Sequence, residues 1–160
     1  MSFLDLDERL VELCARAQLV FTPLMDVKTF PENVDATLVE GAVANQDHLH
    51  QIRLIRSRTR ILVSLGDCAV TGNVTAMRNP LGKAELVLQR AYLENVIQPQ
   101  LPSEPGIVPR LLDRVQPVHQ VVPVDVYLPG CPPSADLIYY VLTELIEGRK
   151  PDLSGRLHYG

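Results

Sequence analysis

The residues in this chain best suited to chemistry are Cys68 and Cys131, which occupy matching settings. Cys68 follows Gly66-Asp67 at the end of the apolar run 61–65, and Cys131 follows Pro129-Gly130 at the end of the run 124–128. Short apolar runs of this kind read as buried strands of a parallel sheet, which places both thiols just past strand ends. That is the rim of an α/β sheet where ligands bind. Soft thiolates select iron–sulfur clusters, zinc or copper. Glycine and proline neighbours let backbone amides approach and hydrogen-bond cluster sulfurs. Two inert cysteines packed as small hydrophobes remain the alternative reading of the same spacing. The three cysteines of the chain make neither a disulfide scaffold nor a complete all-cysteine zinc site.

Other reactive side chains are weaker candidates. Glu40 ends the apolar run 36–39, and a carboxylate on the same rim would be partly desolvated, its pKa raised, and so suited to proton relay. A hydrogen-bonded structural carboxylate is the competing reading. Cys14 lies among Leu10, Leu13 and Ala17, where a small apolar side chain suits helix packing. His48 and His50 fall in the polar opening of a helix and His158 in the tail, where solvated rings are usual. His119, upstream of the last strand, is within reach of the rim, but structural histidines that cap carbonyls are commoner.

The elements that must position these groups follow from pattern. Ser2 with Asp5 makes a capping-box pattern for a helix over 3–17, with Phe3, Leu6, Leu10, Leu13 and Ala17 at helical spacing. Strands are expected at 19–21 and 36–39, and Asn45 caps a helix through about residue 57. The strand 61–65 precedes a helix over 83–95. A proline-rich connection then contains a short helix at 108–114, before the strand 124–128 and a helix over 134–147. Such alternation implies an α/β three-layer sandwich with a mainly parallel sheet, because parallel strands need crossovers. With 160 residues, 46% of them hydrophobic, one domain spanning 1–160 is expected.

A net charge of −4 without a basic run offers no footprint for nucleic acid or an anionic membrane. No apolar stretch approaches the roughly 18–20 residues of a membrane helix, and no signal-peptide pattern opens the chain, so a cytoplasmic protein is expected.

Three segments carry a family resemblance: Val39-Glu40-Gly41-Ala42-Val43, Gly66-Asp67-Cys68-Ala69-Val70 and Leu128-Pro129-Gly130-Cys131-Pro132-Pro133. In order and spacing the chain resembles the NADH-quinone oxidoreductase 20 kDa-subunit family. Within it, the segments 2–8 and Gly72-Asn73-Val74-Thr75-Ala76-Met77-Arg78-Asn79-Pro80 look like the small subunits of NAD-reducing [NiFe] hydrogenases. The resemblance implies a flavodoxin-like fold and a [4Fe-4S] cluster, with Cys68 and Cys131 as its third and fourth ligands. The cluster would lie beside the nickel–iron centre of a separate large subunit.

The same resemblance implies that electrons pass between that centre and a NAD(H)-oxidising flavin/iron–sulfur diaphorase module. Relatives carry their first two ligands as Cys-x-x-Cys after a first strand, immediately before the segment that here begins Met1-Ser2-Phe3. A chain cut short upstream of Met1, lacking that strand and those ligands, is therefore expected. Beyond Cys131 no cysteine remains for a further cluster. The alternatives are the quinone-proximal subunit of a respiratory NADH dehydrogenase, whose members show adjacent cysteines at the first ligand position, or a cluster-less structural subunit. Flavodoxin-like sheets also hold FMN at their strand ends, although no phosphate-cradling glycine-rich loop is present here.

Overall fold

A computed structural model describes residues 4–157. A 3₁₀ turn at Leu4–Leu6 leads into α1 (Glu8–Arg16), and after a long loop the chain forms β1 (Val34–Glu40), β2 (Val43–Asn45), α2 (Gln46–Arg58) and β3 (Thr59–Leu65). Two short helices follow at once, α3 (Gly66–Thr71) and α4 (Asn73–Ala76), then a 3₁₀ turn at Asn79–Leu81 and α5 (Ala84–Tyr92). The chain continues as β4 (Leu111–Gln116), a 3₁₀ turn at Val118–Gln120, β5 (Val126–Leu128) and α6 (Ala135–Ile146).

The main sheet is parallel in the order β1-β3-β5, with Glu40 opposite Leu65 and Leu65 opposite Leu128. Because strand side chains alternate, β3 feeds two separate cores. Val63 and Leu65 pack on one face with Leu6, Leu13, Ile138, Val141 and Leu145 from the first turn, α1 and α6. Leu62 packs on the other with Ile52 of α2, Ala69 of α3, Val118 and Val122. Leu62 and Val63 are fully buried, and burial stabilises each by ~1.5–3 kcal/mol. The result is the expected α/β sandwich, with helices on both faces of a parallel sheet.

Caps set two of the flanking helices. Asn45 Oδ1 accepts from the His48 N–H at 2.8 Å to start α2, and Ser134 Oγ accepts from the Leu137 N–H at 3.3 Å to start α6. Part of the capping-box pattern of the first helix falls on Ser2 and Phe3, outside the described residues. That helix begins later than expected, at Glu8, where Asp7 offers no side-chain cap.

Two expected elements take another form. Residues 19–21 are not a strand; a strand exists only within a ladder, and no described strand lies beside this segment. Phe21 instead meets Phe30 edge-on, with ring centroids 5.2 Å apart. The expected helix at 108–114 is replaced by β4, which pairs antiparallel with β2 in a small second sheet. The four-residue spacing of Leu111 and Val115 suits either period, and pairing with β2 decides between them.

Candidate strand-end thiol site

Both cysteines depend on how their strands end. Gly66 follows β3 with φ +81, a left-handed turn open to glycine, so the chain swings directly into α3 with Cys68 in its first turn. After β5, the buried Pro129 and Gly130 lead to Cys131 and a cis Cys131–Pro132 peptide bond. Gly130 has φ +133, and a Cβ there would lie 2.7 Å from the Cα of Pro133, so backbone occupies the space that any side chain would need.

A two-way latch joins these turns. The Asp67 N–H donates to the Gly130 carbonyl at 2.9 Å, and the Gly130 N–H donates to Asp67 Oδ1 at 2.7 Å. The residue before each cysteine is thereby bonded to the residue before the other. Cys68 and Cys131 flank one junction on the carboxyl rim of the sheet, as expected from the strand ends. Cys68 is half-buried and Cys131 exposed, and both thiols are free.

A third group reaches this junction. At the end of α3 the Gly72 N–H bonds the Cys68 carbonyl at 3.0 Å, and Gly72 and Asn73 both have positive φ, +89 and +32. The reversal returns the Asn73 side chain toward the rim, where Nδ2 lies 3.7 Å from Cys131 Sγ. Just beyond, Arg78 donates to the carbonyls of Ala44 (3.1 Å) and Leu112 (2.6 Å), while Asn79 bonds both the N–H and the carbonyl of Val115, at 2.8 and 2.9 Å. These two side chains tie the segment after Cys68 to the β2–β4 sheet. Asp67, Asn73, Arg78 and Asn79 stand within the motifs read from sequence, but their roles need the tertiary contacts.

The remaining candidates are distributed differently. Glu40 does end β1 on the same rim, yet it is exposed, so the partial desolvation expected of it is not found. Cys14 is also exposed, while its neighbour Leu13 is the buried residue of α1; the expected packing in the helix interface is corrected. His119 meets Tyr127 edge-on at 6.0 Å between centroids. His48 Nδ1 accepts from the Ala44 N–H at 3.4 Å, His50 is exposed, and His158 lies outside the described residues. A depression of about 570 Å³ lined by Glu32, Asp35, Arg58 and Arg60 sits at the opposite end of β1 and β3.

Among the described residues no three His, Cys, Asp or Glu side chains converge on a metal position. Two soft donors on turns joined by the Asp67–Gly130 bonds, one within reach of an amide N–H, fit half of the four-thiolate set that a cubane cluster takes. The fold and this rim define a class: a flavodoxin-like α/β module that presents two thiols beyond the ends of parallel strands.

The family described as NADH ubiquinone oxidoreductase, 20 Kd subunit, matches residues 1–145, and the chain belongs to it. It is 37% identical over 163 residues to the NAD-reducing hydrogenase HoxS subunit delta of Cupriavidus necator, covering 99% of this chain and 77% of that one. It is 32% identical over 160 residues to a component of the F420-non-reducing hydrogenase vhu of Methanocaldococcus jannaschii, covering 98% of this chain. Of that archaeal relative it spans 54% of the length. A crystal structure of NAD+-reducing [NiFe]-hydrogenase in the H2-reduced state contains a chain that superposes with a TM-score of 0.91 at 38% identity, over 100% of this chain and 90% of that one.

Proposed function

We propose that the protein is the electron-transfer small subunit of a cytoplasmic NAD-linked [NiFe] hydrogenase, with Cys68 and Cys131 as two ligands of a [4Fe-4S] cluster. The observation that carries this reading is the Asp67–Gly130 latch, which holds two strand-end thiols at one junction within a chain so similar to hydrogenase subunits. When bound, such a cluster supplies a one-electron couple between the nickel–iron centre of a large subunit and a NAD(H)-oxidising flavin/iron–sulfur diaphorase module. The other two thiolates come from outside the described residues.

The chain's own contribution is positional. The latch keeps the two sulfurs at a set separation, and buried Pro129, Gly130 and Pro133 exclude water from one side of the junction. The exposure of Cys131 leaves the other side open for a partner subunit. Glu40, at the end of β1 on that rim, serves as a proton relay once a partner covers it. The named relatives favour a hydrogenase over the quinone-proximal subunit of a respiratory enzyme. Among the described residues no helix is long and apolar enough to cross a membrane.

The test is the complex purified with its large subunit. Cys68→Ala and Cys131→Ala should each abolish the cluster's paramagnetic signal and lower the iron content while leaving nickel in place. Iron and signal unchanged in both variants would refute the assignment.

A further inference from the structure

Beyond the two thiols, the rim contains a polar side chain whose placement packing alone does not explain. Asn73 stands five residues after Cys68 in the chain. It has φ +32, a left-handed backbone that costs a non-glycine residue energy. Its amide is directed at Cys131 Sγ, with Nδ2 3.7 Å away, within reach of a hydrogen bond to sulfur. The polarity of that contact follows from the chemistry of the acceptor. A ligating thiolate has no proton to donate, so the carboxamide must present its NH₂ group.

We propose that Asn73 is a positioning residue for the Cys131 thiolate, donating a hydrogen bond to Sγ that favours the reduced form of the bound cluster. Adding one electron increases the negative charge carried by the terminal sulfurs. A donor aimed at one of those sulfurs is therefore held more strongly after reduction than before it, and hydrogen bonds to sulfur are among the factors that set such potentials. The geometry that delivers the amide is built into the chain. Gly72, with φ +89, ends α3, and a Cβ at this position would meet the Ala76 Cβ at 2.9 Å, so the reversal into α4 is tight and reproducible. Arg78 and Asn79 then anchor the outgoing segment to β2 and β4. The inference rests on the reading that Cys131 ligates the cluster.

The experiment uses the assembled complex with Asn73→Gly, which accepts the left-handed backbone without strain and removes only the donor. Its iron content should equal that of the wild type. In a titration with dithionite followed by electron paramagnetic resonance, the ratio of reduced to oxidised cluster at the wild-type midpoint should fall about threefold, a shift of ~30 mV to lower potential for a one-electron couple. The Fe–S(Cys) stretch in resonance Raman spectra should lose part of its sensitivity to exchange into D₂O. A fully loaded Asn73→Gly complex with the wild-type midpoint and the wild-type D₂O sensitivity would overturn the inference. If that variant loses iron, Asn73→Asp keeps the side-chain shape without an N–H donor, and a loaded complex with an unshifted midpoint overturns it equally. Cys131→Ala run alongside separates the two levels. An unchanged signal there refutes the ligand reading itself, whereas loss of signal there with an unshifted Asn73→Gly refutes only the role of Asn73.

Discussion

Replacing Asp67 with alanine removes one side of the latch and leaves the other in place. The lost bond is the 2.7 Å contact from the Gly130 N–H to Oδ1, while the backbone bond from the Asp67 N–H to the Gly130 carbonyl remains. A hydrogen bond to an ionised acceptor contributes ~1.5–3 kcal/mol. Asp67 is half-exposed, which lowers that figure, but Gly130 is buried and its N–H would be left without a partner, which raises it. The two corrections oppose each other, and Asp67→Ala should destabilise the chain by ~2 kcal/mol. For a domain of this size that corresponds to a drop in Tm of ~4–8 °C. Urea unfolding should show a lower midpoint at an unchanged slope, since the loss is local and the surface exposed on unfolding is the same. Asp67→Asn retains an acceptor oxygen of the same shape and should recover about half of the loss. In the complex, Asp67→Ala should also reduce cluster occupancy, because the two turns that present Cys68 and Cys131 would be joined by one bond. A stability within ~0.5 kcal/mol of wild type, the range of an ordinary surface substitution, would refute the latch.

Two further outcomes follow from the same structure. Gly130→Ala should cost more than Asp67→Ala, ~3 kcal/mol or failure to fold, since its Cβ would meet the Pro133 backbone and φ +133 is open only to glycine; an unchanged thermal midpoint would count against this geometry. Asp125 should contribute to the acid limb of stability. Burial pushes its pKa up, but the Leu62 N–H at 2.7 Å and the Arg56 guanidinium at 2.6 Å outweigh that and hold it below the ordinary carboxylate value. A depressed carboxylate contributes its stability above the unfolded pKa, near 4, and loses it as pH falls further. Asp125→Asn should therefore flatten the stability curve below about pH 4, and cost ~1 kcal/mol at neutral pH after solvent screening of a half-exposed pair. An acid limb as steep in Asp125→Asn as in wild type would exclude this group as its source.

Part of the molecule is legible from local sequence because the physics involved is local. The apolar run before Gly66 reads as a strand covered on both faces, and it is β3, with Leu62 and Val63 facing opposite cores. Asn45 and Ser134 cap their helices through bonds spanning three residues, so a short window suffices to see them. Residues 111–116 are not legible in this way, since the four-residue spacing of Leu111 and Val115 fits a helix and a strand alike until β2 supplies a partner. Cys14 is misjudged for a related reason: helical spacing defines a stripe, but only the position of α6 decides which side of that stripe is covered.

By itself, then, the sequence determined that two thiols stand past the ends of buried strands in an α/β fold, since strand, turn and cysteine are contiguous in each segment. Only the tertiary structure decided that Asp67 would meet Gly130 across 63 residues and that Asn73 would meet Cys131 across 58. Those contacts depend on the register of β3 against β5 and on the reversal at Gly72, and neither is encoded within a window of neighbouring residues. The same packing left Glu40 on the rim but exposed, because β1 ends where no described element covers it.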